Sequence, residues 1–100
     1  MDHYEVFLSP KALRDLDAIY AYVSRTLLAP DTAETLIDDL EKGIFSLEQM
    51  PSRCPERPVG AYANKGYRQL LIRNYTAIFR VDEAKKQVVI VTVRYSRSNI

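Results

Sequence analysis

The chain is poor in the residues that carry most acid–base, redox and metal chemistry. Its 100 residues include one histidine, His3, and one cysteine, Cys54. A single cysteine cannot close an intrachain disulfide, and Cys54 reads as an inert loop thiol. A Cys/His metal site is excluded on the same count. So is a Ser-His-Asp triad, because His3 would have to serve it from the first residues of the chain. No apolar run approaches the roughly 20 residues that span a bilayer. The start, Met1-Asp2-His3-Tyr4, has neither the basic flank nor the apolar stretch of a signal peptide. A cytoplasmic protein is expected, without metal, cofactor or membrane partner.

What is present describes one globular domain over residues 1–100, since two would each be too small to bury a core. Apolar residues make up 47% of the chain and charged residues 27%, which argues against disorder. The net charge of +1 hides a division. Residues 1–50 carry four Lys/Arg against ten Asp/Glu, whereas residues 51–100 carry ten against three. An acidic half and a basic half imply one surface suited to an anionic partner.

Hydrophobic period and punctuation give the order β-α-α-β-β-β. Tyr4–Leu8 reads as a strand ended by Ser9-Pro10, with Ser9 as N-cap and Pro10 as the first helical residue. Leu13, Leu16, Ile19, Tyr20, Val23 and Leu27 form one helical stripe, and Tyr22 lies off it as a candidate surface contact. A break at Leu28-Ala29-Pro30 precedes a second helix, for which Asp31 and Glu34 suggest a capping box. That helix carries Ala33, Leu36, Ile37, Leu40, Ile44 and Leu47, and the short connection folds the two back as a hairpin. Residues 51–65, with Pro51, Pro55, Pro58 and Gly60, form a long loop of the kind that carries function. Three strands follow: Tyr67–Arg73, Tyr75–Val81 and Gln87–Tyr95, with Asn74 as the residue suited to the first tight turn.

Alternation predicts two sheet faces. Tyr75, Ala77, Phe79 and Val81, with Val89, Val91, Val93 and Tyr95, make the apolar face that carries the helical hairpin. Thr76, Arg80, Thr92 and Arg94, joined by Arg68, make an uncovered basic face. The fold expected is α+β, a helical hairpin on one face of a small, largely antiparallel four-stranded sheet. Tyr67, Tyr75 and Tyr95 read as packing residues. Arg68, Arg73, Arg80, Arg94, Arg97 and Tyr22 are the candidate binding residues.

Several motifs, in order along the chain, resemble the RelE/ParE toxins of type II toxin–antitoxin systems. They are Tyr4-Glu5-Val6, Ser9-Pro10-x-Ala12-Leu13-x-Asp15-Leu16, Gly66-Tyr67-Arg68, Asn74-Tyr75-x-x-Ile78-Phe79-Arg80-Val81-Asp82 and Val93-Arg94-Tyr95-Ser96-Arg97-x-x-Ile100. The resemblance implies neutralisation by a cognate antitoxin protein in a hetero-oligomer, with acidic antitoxin residues brought towards Arg68, Arg80 and Arg94. It implies one of two actions. RelE-like toxins cut mRNA on the ribosome with Arg, Lys and Tyr around the phosphate, for which Arg68, Arg80, Arg94 and Arg97 would be the candidates here. ParE-like toxins poison DNA gyrase by binding. Cations that the nuclease pattern wants fall on Leu70, Thr76 and Ser98, so the ParE-like action is favoured. A non-toxic binding partner of the same fold is a further alternative.

Overall fold

A computed structural model describes residues 3–97. Strand β1 (Glu5–Leu8) leads into helix α1 (Pro10–Ala21), which continues through a π-helical stretch, Tyr22–Thr26. Helix α2 (Pro30–Phe45) ends in the 3₁₀ turn Ser46–Glu48, and a second 3₁₀ turn spans Pro51–Arg53. Strands β2 (Arg68–Ile72), β3 (Tyr75–Asp82) and β4 (Gln87–Tyr95) complete the chain. The sheet order is β1-β4-β3-β2, with β1 parallel to β4 and the other pairs antiparallel. The expected α+β architecture is what forms, with a mixed sheet. No helix among the described residues is long and apolar enough to cross a membrane.

Local chemistry explains the joints. Ser9 Oγ accepts from the Ala12 amide at 3.0 Å and donates to the Val91 carbonyl at 2.8 Å, so one side chain both caps α1 and ties it to β4. Helix α2 begins one residue before the proposed capping box. Pro30 takes the first helical position, Ala29 precedes it without a side-chain cap, and Asp31 lies in the first turn. At the β2–β3 turn it is Arg73 (φ 53°), not Asn74, that adopts the left-handed conformation. Its guanidinium holds it there: Nε and Nη2 both reach Oδ2 of Asp39 on α2 at 2.7 Å.

The core lies between α1, α2 and one sheet face. Leu40, Ile44, Leu47, Phe79, Val88 and Ile90 are fully buried in it, each contributing about 1.5–3 kcal/mol of transfer free energy. Register corrects the predicted faces. Phe79 pairs with Ile90 while Ile78 pairs with Thr92, so Val91 is an extra residue in β4. This bulge switches the strand's parity. Val88 and Ile90 therefore face the helices before it, and Val93 and Tyr95 after it, in place of an unbroken Val89-Val91-Val93-Tyr95 row. The helical stripe is corrected at both ends as well, since Leu13 and Leu27 are about half exposed.

A phenol ties the start of β1 to the β3–β4 turn. The Tyr4 ring is buried while its hydroxyl donates to Glu83 Oε1 at 2.5 Å, and this bond, with a smaller part from desolvation, raises its pKa. Burial also raises that of Tyr75. In both, the folded-state pKa lies above the unfolded one, so the neutral phenol is the form that folding favours. The stability gained is fully present below about pH 10 and is lost as pH rises through the folded pKa. Urea midpoints are expected to hold to pH 9 and to fall above about pH 10, less steeply in Tyr4→Phe. An unchanged slope in that variant would remove Tyr4 from the account.

Candidate functional site

Two surfaces bear the residues singled out from sequence. The first is an apolar groove where α1 gives way to the π-helical turn. It encloses about 610 Å³ and is lined by Ala18, Ile19, Tyr22, Val23, Leu27, Tyr75 and Tyr95. The wider turn is what opens it. Leu27 donates to the Tyr22 carbonyl at 3.0 Å, five residues back, and Ala29 reaches the Val23 carbonyl at 3.1 Å. One residue too many per turn rotates Leu27 off the buried stripe to join Tyr22, and both stand more than half exposed. Tyr75 and Tyr95 close the other wall edge-to-face, ring centroids 5.6 Å apart. Tyr95 shares the helix-side face as expected, but it lies at the end of the core and is 43% exposed. Sequence marked Tyr22 by its place off the stripe. It missed Leu27, because the periodicity assumed an unbroken α-helix.

The second surface is the sheet face turned away from the helices. Pairing assigns to it Thr76, Ile78 and Arg80 of β3, Thr92 and Arg94 of β4, Gln69 and Leu71 of β2, and Phe7 of β1. Arg68 is not among them. It pairs with Phe79, so its side chain belongs to the helix side, where Nη1 donates to the Cys54 carbonyl at 2.6 Å. Cys54 itself is buried, and burial pushes its thiol pKa up, consistent with an unreactive sulfur.

This face is not uncovered either. The loop 54–67 returns across it, with Arg57 Nη1 donating to Gln69 Oε1 at 2.9 Å and the Tyr62 ring 5.6 Å from the Arg94 guanidinium. Ile78 and Thr92, paired with one another, have no solvent exposure. Asp15 reaches the same region from α1. Its Oδ2 accepts from the Thr92 hydroxyl and, at 3.0 Å, from the Val93 amide. Lys11 pairs with Asp15 at 3.1 Å.

The candidate arginines are therefore dispersed. Arg68 is committed to a backbone carbonyl and Arg73 to Asp39. Arg94 lies under Tyr62, and Arg97 is exposed in the turn after β4. Arg80 is exposed on the sheet face. It pairs with Val89, whereas Arg94 pairs with Thr76, four residues along β3. At about 3.4 Å per residue that separates them by roughly 14 Å along the strand. One phosphate cannot engage both backbones' side chains without long reaches from each.

Comparison with known proteins agrees with this architecture. The family model described as the ParE toxin of the type II toxin–antitoxin system parDE matches residues 6–100. In structure the chain is similar to the chromosomal ParDE toxin–antitoxin system of P. aeruginosa, with a TM-score of 0.77 and 26% identity over 95% of this chain and 98% of that one. The RelBE2 toxin–antitoxin complex of Mycobacterium tuberculosis gives 0.64 and 22%, over 93% of this chain and 98% of that one. A mutant of E. coli toxin RelE in the free state gives 0.61 and 15%, over 96% and 86%. The last two likenesses concern the fold alone. No curated protein sequence matches significantly.

Proposed function

The chain belongs to the ParE family of type II toxin–antitoxin toxins, and from that membership we propose that it acts by binding DNA gyrase and not by cutting RNA. The observation carrying this reading is the dispersal of the arginines. Cleavage without histidine needs several cations converging on one phosphate, yet Arg68 and Arg73 are engaged elsewhere and Arg80 stands apart from Arg94. The reading implies action in the cytoplasm.

An antitoxin protein is the proposed partner, supported by the toxin–antitoxin systems among the structural relatives. The groove bounded by Tyr22 and Leu27 is the proposed seat for an apolar antitoxin segment. Its lining is predominantly apolar and includes three tyrosines, which suits one face of an amphipathic helix. Arg97 is offered as a cation for acidic antitoxin residues beyond it.

Induced expression tests the target. Gyrase-dependent DNA breaks with intact mRNA are expected, and codon-phased mRNA cuts would replace this reading with the endonuclease. Normal growth would point to a non-toxic binding protein. Co-purification with the adjacent gene product tests the seat: Tyr22→Glu and Leu27→Glu should each weaken it by about tenfold or more. Retention at the original level would move the antitoxin to another surface.

A further inference from the structure

The sheet has two outer strands, β1 and β2, and the fold protects them unequally. Along β2 the preceding loop runs beside the strand. Arg57 donates to the Tyr67 carbonyl at 2.8 Å, Gln69 donates to the Pro55 carbonyl at 3.1 Å, and Glu56 bridges Arg68. On β1 the inner side is fixed by Glu5, which donates to the Lys86 carbonyl, and Ser9, which donates to that of Ile90. Glu5, Phe7 and Ser9 thus turn their backbone groups towards β4, and alternation turns those of Val6 and Leu8 outward. Among the described residues neither has a backbone partner on that side.

Free edges are ordinarily blunted by lysine, proline or a bulge. This one reads Val6-Phe7-Leu8, with none of these, and Phe7 is 44% exposed on the face away from the helices. The edge is closed at both ends. The Tyr4 N–H is held by the Glu48 carbonyl at 2.8 Å, and Pro10 has no N–H to offer.

We propose that β1 pairs with β1 of a second copy of this chain, antiparallel, about a two-fold axis through Phe7. The closed ends select both occupant and register. Centred on Phe7, Val6 of each copy exchanges both N–H···O bonds with Leu8 of the other, and every open group is used. A centre at Val6 would set Leu8 against the occupied Tyr4 N–H, and a centre at Leu8 would set Val6 against Pro10. The side chains fit the same register. Phe7 meets its own mate across the axis, and Glu5 falls opposite Ser9 and not opposite another carboxylate. Arg80 shares the row of Phe7 and Val89, at its far side, so the two Arg80 groups lie roughly 24 Å apart at about 4.8 Å per strand. A ladder this short buries less than the roughly 1,200 Å² of a stable interface, so the dimer is weak and concentration-dependent. It leaves the groove open, because β1 pairs with the first half of β4 and the groove lies beside Tyr95 at the other end. The inference is independent of the toxin's target, and its test uses neither gyrase nor antitoxin.

Sedimentation of the full chain from about 1 μM to about 1 mM should show a reversible monomer–dimer equilibrium. Phe7→Lys sets like charges opposite one another and should weaken the dimer by about tenfold or more. Val6→Pro removes an N–H that β4 does not use and should weaken it similarly. Thermal unfolding establishes that Val6→Pro folds, and if it does not, Phe7→Lys decides alone. Cysteine cross-linking tests the register. Residues paired as Phe7 would be have Cα atoms about 4.5 Å apart, within the roughly 4.4–6.8 Å that a disulfide spans. Oxidation should therefore link Phe7→Cys into covalent dimers at least about tenfold faster than Glu5→Cys, whose mates lie several residues apart. The unaltered chain, with Cys54 buried, is the unlinked control. A chain that stays monomeric throughout, a dimer indifferent to Phe7→Lys, or equal cross-linking from Glu5→Cys would each overturn the proposal. A dimer lost in Tyr22→Glu but kept in Phe7→Lys would do so in favour of the groove.

Discussion

Replacing Asp15 by alanine is expected to cost the fold about 3 kcal/mol, among the largest losses available to a partly exposed residue. The side chain is 20% exposed and holds three groups at once. Oδ2 accepts from the fully buried Thr92 hydroxyl and from the Val93 amide, and the carboxylate pairs with Lys11. The ion pair is the smallest part, because Lys11 is 45% exposed and such pairs contribute under about 1 kcal/mol. The larger part is the stranding of donors, at about 1–3 kcal/mol for each one left buried without a partner.

Position explains why a carboxylate is needed there. The β1–β4 ladder ends at Leu8 opposite Ile90, Val91 bulges, and the Val93 amide beyond it has no strand on that side. Asp15 supplies from α1 the acceptor that a longer β1 would have supplied. Thermal unfolding should fall by roughly 10–20 °C in Asp15→Ala, and by less in Asp15→Asn, which keeps one acceptor oxygen. Lys11→Met should change little. A loss within about 1 kcal/mol for Asp15→Ala would mean that water replaces the carboxylate at the bulge.

The same bulge marks the limit of what alternation can reveal. Val88-Val89-Ile90-Val91 is apolar at every position, so either parity satisfies a buried face and the sequence carries no sign of the switch. After it, Thr92 and Arg94 alternate clearly with Val93 and Tyr95, and their faces were legible. Arg68 was misassigned for a related reason. A five-residue edge strand with Gln69, Leu70, Leu71 and Ile72 has no clean alternation, and only its pairing with Phe79 reveals its side. The element order, the Ser9-Pro10 cap and the helical hairpin were legible because each rests on local chemistry. The groove was legible only through Tyr22, since a π-helical turn leaves no compositional mark.

Gly43 was silent for the opposite reason: a residue without a side chain adds nothing to a hydropathic period, yet its substitution should be costly. It lies within α2 between Lys42 and Ile44. A Cβ there would sit 2.6 Å from Ile72 Cδ1 and 2.7 Å from its Cγ1. The missing carbon is what lets α2 press directly onto β2. Alanine elsewhere in a helix would gain about 1 kcal/mol over glycine, but here overpacking of about 1–3 kcal/mol opposes the gain. Gly43→Ala is expected to be destabilising on balance. Gly43→Val, with two further methyls and a stiff χ1, should lose about 3 kcal/mol or more. The decisive measurement is the double variant. Ile72→Ala removes both clashing carbons, so Gly43→Val/Ile72→Ala should be more stable than the sum of the single losses predicts, by about 1–2 kcal/mol. Strict additivity in urea unfolding would show that the helix yields instead of the isoleucine. The close approach of α2 to β2 would then be a looser constraint than the geometry implies.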